Sequence, residues 1–360
     1  MKLFIHFGIY KAGSSYLQYI CANNREYLKA QGYYLPESPF DKAMEKGEIS
    51  PGNGLELHKY LEEKDNAKIE SILNNWVKQA IDERCDHILI TAEALVHNLA
   101  QPDQVVILEQ ATQKAGINGI YALGYFRHLA DHALSTYKHR AKSGKIPDYK
   151  YWLKNVYETP AVIKGLLKTI DNSIIKWRIL LFKKNSEYMI DSFFCGWLEI
   201  KKPYIPDRPK VNESITLSEV RIMTYLLNLY PLTSDYFVYN LKNLNSKEKA
   251  LDKHLEIVFK NNAEHILQRY LPQVENLSKH MPEDSKLLIQ EIQSVVDNEC
   301  EDNTLYLSEK QIENISNTMK YLNSFRGRFI SLRRSIYRLL PSSLTSKIVN
   351  YYKKNYELYK

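Results

Sequence analysis

The chain has 360 residues, of which 44% are hydrophobic and 25% are charged, and its formal net charge is +7. This composition is typical of a globular protein, no apolar run approaches the roughly 20 residues of a membrane-spanning helix, and the short apolar run at the N-terminus does not fit a signal peptide. The four cysteines lack C-x-x-C spacing, which argues against a zinc site and a disulfide framework. We therefore expect a cytoplasmic protein whose positive charge favours anionic ligands or surfaces.

The first stretch of the sequence predicts a strand, a glycine loop and a helix in immediate succession. Residues 3–7 are apolar, and Gly8 to Ser14 reproduces the G-x-x-x-x-G-[ST] skeleton of a phosphate loop. The lysine is displaced, because Lys11 lies inside the loop and Ser14 stands where a nucleoside triphosphatase carries its lysine. A helix is predicted over residues 15–30. Converging backbone N–H groups and the positive end of that helix predict an anion site, with an ordinary strand-to-helix turn as the alternative.

The elements that follow alternate between helices and short apolar strands. The patterns predict, in order, a strand at 33–35, a helix at 55–83, strands and helices at 87–91, 103–114, 120–126 and 129–142, a helix opening at Thr159 and Pro160, and a strand at 176–182. This alternation indicates an α/β fold with a P-loop-type parallel sheet flanked by helices. Beyond about residue 207 the strands disappear, and a largely helical C-terminal half is predicted, with capping boxes at Thr216 and Glu219 and at Ser308 and Gln311.

Three charged side chains lie just beyond the ends of predicted strands. Lys11, Glu93 and Arg127 follow three different strands along the chain. Ligands of open α/β sheets bind at the carboxyl ends of the strands, so these side chains are candidates for one binding site. Each also has a plainer interpretation, because Lys11 could be a solvated lysine, Glu93 a helix cap and Arg127 half of a surface ion pair.

With these features in place, the chain resembles the sulfotransferases that use 3′-phosphoadenosine 5′-phosphosulfate (PAPS), especially their bacterial carbohydrate-type members. The resemblance covers about residues 1–200 and has three parts. The segment HFGIYKAGSSYLQ is similar to the family's 5′-phosphosulfate loop, and YFRHLADHALSTY is similar to its 3′-phosphate segment. The segment ILITAEAL is similar to the strand that ends near the catalytic base.

The resemblance implies a role for each residue of these segments. It implies that the donor is held by Lys11, Ala12, Gly13, Ser14, Ser15, Tyr16, Arg127 and Ser135, with the last two on its 3′-phosphate. Glu93 would take a proton from the acceptor, and Lys11 would stabilise charge on the leaving group. The products would be a sulfated acceptor and adenosine 3′,5′-bisphosphate (PAP). The implied acceptor is a hydroxyl or amine of a carbohydrate or glycolipid, and no metal is implied.

Two other functions remain open from the residues. A P-loop kinase would use the same loop with ATP and magnesium, and a nucleotide-binding module would keep the loop without sulfuryl transfer. A phosphoryl transferase usually holds magnesium with an aspartate at a strand end. Here the candidate strand ends at Thr91, with Glu93 just beyond it. Because a sulfuryl group carries less charge than a phosphoryl group, the lack of such an aspartate favours sulfuryl transfer.

The histidines offer weaker alternatives. His128 and His132 are four residues apart beside Asp131, which is a metal-ligand spacing on a helix, but no third ligand is evident. We therefore predict no metal site. His97 is a second candidate for the catalytic base.

The sequence suggests three parts: an α/β core at 1–206, a helical extension at 207–318 and a basic amphipathic segment at 319–360. The last part has ten lysines and arginines against Glu357 alone. That charge and its interleaved apolar residues suit an anionic membrane surface at the inner face, with a helix packed on the domain as the alternative. No motif supports nucleic-acid binding beyond the charge.

Overall fold

The computed structural model describes residues 1–9, 11–141, 146–183, 185–207, 215–221 and 253–282, together with five isolated positions between 312 and 320. Within these ranges the centre of the protein is a five-stranded parallel sheet in the order β2-β3-β1-β4-β5. The strands are β1 Lys2–Gly8, β2 Tyr33–Tyr34, β3 His87–Thr91, β4 Ile120–Phe126 and β5 Lys176–Leu181. The predicted α/β fold is confirmed.

Helices connect the strands and cover both faces of the sheet. They are α1 Ser14–Asn23, α2 Arg25–Ala30, α3 Asp41–Glu45, α4 Leu55–Glu63, α5 Asn66–Asp82, α6 Leu95–Leu99, α7 Pro102–Lys114, α8 Leu129–Ala141, α9 Tyr149–Asn155, α10 Thr159–Ile170, α11 Ser186–Ile190, α12 Lys253–Leu267 and α13 Leu271–Ser278. A π-helical turn at Asp191–Cys195 follows α11, and a short 3₁₀ turn at Gln268–Tyr270 separates α12 from α13. No helix in the described ranges is both long and apolar enough to cross a membrane.

The central strand is buried on both faces, as parallel sheets require. Leu3, Ile5 and Phe7 are completely buried on one face of β1. On neighbouring β4 a side chain at Gly124 would lie 2.4 Å from the Phe7 ring, so the glycine makes room for that ring. On the other face of β1, His6 is 1% exposed and packs edge-on against the ring of Phe193 at 5.4 Å.

Two predicted helices are each divided in two. The helix predicted over 15–30 breaks at Asn24, whose side chain donates hydrogen bonds of 2.8 Å to the carbonyls of Ile20 and Tyr204. The helix predicted over 55–83 breaks where Lys64 adopts a φ of 53°, and Asp65 then caps α5. Both predictions of a single helix were wrong, because the breaks depend on a distant backbone group and on a left-handed residue.

The described parts of the C-terminal half are helical, as predicted. The capping box of Thr216 and Glu219 is confirmed, because each backbone N–H donates to the other residue's side chain, at 2.7 and 3.2 Å. The second predicted box, at Ser308 and Gln311, and most of the basic segment at 319–360 lie outside the described residues.

The described residues form two compact units. The first contains those of Met1–Thr136, Leu153–Glu213 and Lys260–Glu299, and therefore the whole sheet. The second contains those of Tyr137–Trp152, Ser214–Phe259 and Cys300–Lys360. Each unit is assembled from separate stretches of the chain, and the three-part division of the sequence stays a prediction.

Candidate anion-binding site

The loop between β1 and α1 is tight and depends on its glycines. Gly13 has a φ of 87° and directly precedes α1, and Lys11 has a φ of 69°. A left-handed residue is strained unless it is glycine, so Lys11 holds its conformation against a cost of about 1–2 kcal/mol. A side chain at Gly8 would begin 3.1 Å from Ser14 Oγ, which means that the strand end and the helix start almost touch.

Two side chains that follow the edge strand β5 pack against this loop. A side chain at Gly13 would lie 2.5 Å from Met189 Cε and 2.9 Å from the ring of Phe182. Phe182 follows β5, and Met189 lies on α11. Gly13 is therefore required both for its backbone conformation and for this close packing.

The start of α1 presents polar groups that the described protein leaves unsatisfied. Ser14 is 2% exposed, and its hydroxyl oxygen has no hydrogen-bond partner of ordinary geometry among the described residues. Gly13, as the N-cap, has no side chain to satisfy the first N–H groups of this ten-residue helix. Ser15 and Tyr16 are half-buried in its first turn, whereas Ala12 in the preceding loop is completely buried.

Glu93 lies two residues beyond β3 and is half-buried. Burial raises the pKa of Glu93, and the nearby Ser14 hydroxyl and Lys11 ammonium oppose that rise. A carboxylate with a raised pKa and a cation at hand is suited to accept a proton near neutral pH.

Lys11 lies between the other two predicted charges. Burial lowers the pKa of Lys11, the Glu93 carboxylate raises it in part, and the Arg127 guanidinium lowers it further. Arg127 follows β4 directly and lies over the ring of Phe182 at 5.7 Å. The three residues thus lie just beyond the carboxyl ends of the adjacent strands β3, β1 and β4, close enough for Glu93 and Arg127 to shift the pKa of Lys11, and their role as one binding site stays a prediction.

The segment after Arg127 carries further charge. Asp131 on α8 forms an ion pair of 2.5 Å with Lys260 of α12. Burial alone would raise the pKa of Asp131, but Lys260, Arg127 and His128 together lower it. Ser135 lies further along α8 and is half-buried, and its part in a phosphate site stays a prediction.

The histidines occupy other roles. His132 is 1% exposed, and its ring bonds to the hydroxyl of Tyr157 at 2.7 Å and to the hydroxyls of Thr159 and Thr136 at 3.4 Å. It is a core histidine, and the described residues hold no group of three or more metal-ligating side chains. His97 lines a separate groove of about 490 Å³ with residues of α10, and Lys11, Glu93 and Arg127 are not among its lining residues.

Sequence reasoning missed the residues that support the site. Phe182 and Met189 gave no motif, although Phe182 follows a strand end and could have been suspected from that position. Asn53, whose side chain is hydrogen-bonded to the backbone of Leu89 and Thr91 at the end of β3, lies in a proline- and glycine-rich loop that resembles many plain connections. No protein-family model, curated protein or solved structure matches this chain.

Proposed function

We propose that this protein transfers a sulfuryl group from PAPS to a hydroxyl or amine of an acceptor, with a carbohydrate or glycolipid as the expected class. The observation that carries the proposal is the placement of Lys11, Glu93 and Arg127 beyond the carboxyl ends of three adjacent strands. The charges of Glu93 and Arg127 both shift the pKa of Lys11. A glycine loop and a helix N-terminus beside them supply N–H donors for an anion.

The residues present fit the donor. The uncapped first turn of α1 supplies N–H donors in need of an acceptor, and the buried Ser14 hydroxyl lies beside that turn and the Glu93 carboxylate. With Lys11 they would hold the 5′-phosphosulfate, together with Ser15, Tyr16 and the backbone of Ala12 and Gly13. Arg127 would hold the 3′-phosphate, with Ser135 as its predicted partner, because a guanidinium binds phosphate oxygens in pairs. The donor supplies an activated sulfuryl group.

The acid–base chemistry belongs to Glu93 and Lys11. Glu93 takes the proton from the acceptor hydroxyl as the acceptor oxygen forms a bond to sulfur. The bond between sulfur and the bridging oxygen breaks, and PAP leaves with that electron pair. Lys11 stabilises the negative charge that develops on the bridging oxygen. Because this charge appears mainly in the transition state, Lys11 should affect turnover more than donor binding.

A P-loop kinase is the second candidate, and one observation favours it. The Ser14 hydroxyl lies beside the Glu93 carboxylate. A loop hydroxyl and a carboxylate on the neighbouring strand are also ligands that a kinase uses for magnesium. Lys11 beside the same carboxylate favours sulfuryl transfer, because an ammonium at that place would repel a metal ion.

Thermal shifts separate the two functions. PAP should raise the melting temperature in the absence of divalent metal, and ATP with magnesium should do much less. Ligand at about a hundred times its dissociation constant would stabilise the folded state by roughly 2.7 kcal/mol. Arg127→Ala should reduce the shift from PAP and leave the shift from AMP unchanged, because AMP lacks the 3′-phosphate. Lys176→Ala is a matched control, because Lys176 begins β5 at the amino-terminal ends of the strands, away from Arg127.

Sulfuryl transfer itself is measured with labelled PAPS and a panel of saccharide and amine acceptors. Release of labelled product in the presence of EDTA would support the proposal. If ATP with magnesium stabilises the protein more than PAP, the kinase is the better assignment. If neither ligand stabilises it, the site is not a nucleotide site of either kind.

A further inference from the structure

The outer edge of β3 is paired with a strand over only part of its length. β2 has two residues, which pair with His87 and Ile88. Beyond them, the carbonyl of Leu89 and the N–H of Thr91 point to the same outer side without a partner strand. Thr91 lies only two residues before Glu93, so the groups that satisfy this outer side help to hold the end of β3 in place.

The side chain of Asn53 takes the place of the missing strand. Its Nδ2 donates to the carbonyl of Leu89 at 3.2 Å, and its Oδ1 accepts from the N–H of Thr91 at 2.7 Å. A parallel strand opposite Ile90 would make this same pair of hydrogen bonds. Asn53 is 6% exposed and Thr91 is 1% exposed, so neither bond competes with bulk water.

The loop that carries Asn53, residues 50–54, is pressed against the same strand end. Gly52 has a φ of 83°, and a side chain there would fall 1.8 Å from the carbonyl oxygen of Thr91. Ser50 accepts from the Gly52 N–H at 3.2 Å and donates to Gln18 of α1 at 3.0 Å. The loop is therefore linked to the helix that begins the anion site.

The inner side of the same strand end is held by β1. The N–H of Ala92 donates to the carbonyl of His6 at 3.0 Å. The residues directly before Glu93 are thus fixed on both sides, by the backbone of β1 on one side and by the carboxamides of Asn53 and Gln18 on the other, since Gln18 Nε2 donates to the Thr91 carbonyl at 3.5 Å. A general base must remain within hydrogen-bond reach of the proton that it removes, and a small displacement of its backbone lowers the rate.

We propose that Asn53 is a positioning residue for Glu93, acting through the backbone of Thr91. The inference rests on the proposed function for its catalytic consequence, but its structural part does not need turnover. Asn53 has no part in donor binding, so its loss should affect the rate of proton removal and leave the affinity for PAP alone.

Asn53→Ala tests the proposal, with Asn24→Ala as its control. Asn24 is also 6% exposed and also makes two side-chain hydrogen bonds to backbone groups, but at the far end of α1. Asn53→Ala should lower kcat at least tenfold with the dissociation constant of PAP changed less than twofold. Asn24→Ala should leave kcat within twofold. Hydrogen exchange of a peptide covering residues 88–94 should accelerate only in Asn53→Ala.

A second variant covers the case in which Asn53→Ala does not fold. Asn53→Asp keeps the acceptor for Thr91 and replaces the donor to Leu89 with a repelling oxygen, so kcat should again fall while PAP binding remains. Equal kcat values for the Asn53 and Asn24 variants would overturn the positioning role. Equal hydrogen-exchange rates of residues 88–94 in the two variants would overturn the statement that Asn53 holds the end of β3. A wild-type protein that binds PAP without sulfuryl transfer would instead refute the proposed function, and the exchange comparison would still decide whether Asn53 holds β3.

Discussion

Gly52→Ala is the substitution for which the structure gives the clearest expectation. The added methyl group would fall 1.8 Å from the carbonyl oxygen of Thr91, and that neighbour is strand backbone that cannot rotate away. The loop must then move off β3, and both hydrogen bonds of Asn53 to that strand are lost with it. We therefore expect the variant to unfold at lower temperature than the wild type and to lose turnover.

The loss in free energy of unfolding is the sum of the backbone strain at residue 52 and the two lost hydrogen bonds. A positive φ costs a non-glycine residue about 1–2 kcal/mol, and each lost hydrogen bond costs about 0.5–1.5 kcal/mol. The sum is about 2–5 kcal/mol. With an entropy of unfolding of about 2.1 cal/mol/K per residue, a chain of 360 residues loses about 1.3 °C per kcal/mol, so the melting temperature should fall by about 3–7 °C.

Gly116→Ala separates the clash from the backbone strain. Gly116 has a φ of 74°, and a side chain there would meet nothing within 4 Å. The free energy of unfolding of this variant should fall by only about 1–2 kcal/mol, which is the cost of the positive φ for a non-glycine residue. Both variants are compared by thermal and urea unfolding in the same buffer. Equal losses would show that the loop does not press on β3 as described, and would refute the reasoning.

Three further expectations concern the titrating groups. Glu93→Gln should lower kcat about a hundredfold or more at unchanged PAP affinity. The folded-state pKa of Glu93 is raised above the ordinary 4.5, so the free energy of unfolding of the wild type should fall as the pH rises from 4.5 through that pKa. Urea unfolding at a series of pH values should show that Glu93→Gln lacks this decrease. Lys11→Ala should abolish most turnover in the labelled-donor assay and leave the circular dichroism spectrum intact; near-normal turnover would remove Lys11 from the chemistry. His6→Leu should raise the urea midpoint at neutral pH, because the ring nitrogens of His6 have no partner among the described residues. The pKa of His6 is lowered to about 3, so the wild type should lose stability as the pH falls below 6.5. His6→Leu should not show this loss. A variant less stable than the wild type would mean that a buried water is hydrogen-bonded to His6.

The part of the fold and site that the sequence predicted is the part specified by local patterns. Residues 87–91 and 120–126 are short, mostly apolar runs, and both are strands with those bounds. The strand-to-helix connection predicted from the glycine spacing is present, because β1 ends at Gly8 and α1 begins at Ser14. Lys11, Glu93 and Arg127 could be brought together in prediction because parallel strands end at one edge.

What the sequence did not predict depends on groups that are distant along the chain. The break at Asn24 is stabilised by a hydrogen bond to the carbonyl of Tyr204, and the sequence around residue 24 gives no indication of that partner. Asn53 is bound to Leu89 and Thr91, almost forty residues later, so its local pattern is only that of a loop. Phe182 contacts the site because β5 lies beside β4, a neighbour relation that periodicity cannot reveal.

The position of β1 in the middle of the sheet has a consequence for synthesis on the ribosome. β1 emerges well before its partners, which are β3, ending at Thr91, and β4, ending at Phe126. At about 5–20 residues per second, its apolar side chains remain without a sheet for several seconds or more. Arrested nascent chains should therefore generate little folding force before β4 has left the exit tunnel. Until then the strand is a natural target for chaperones that bind extended apolar segments.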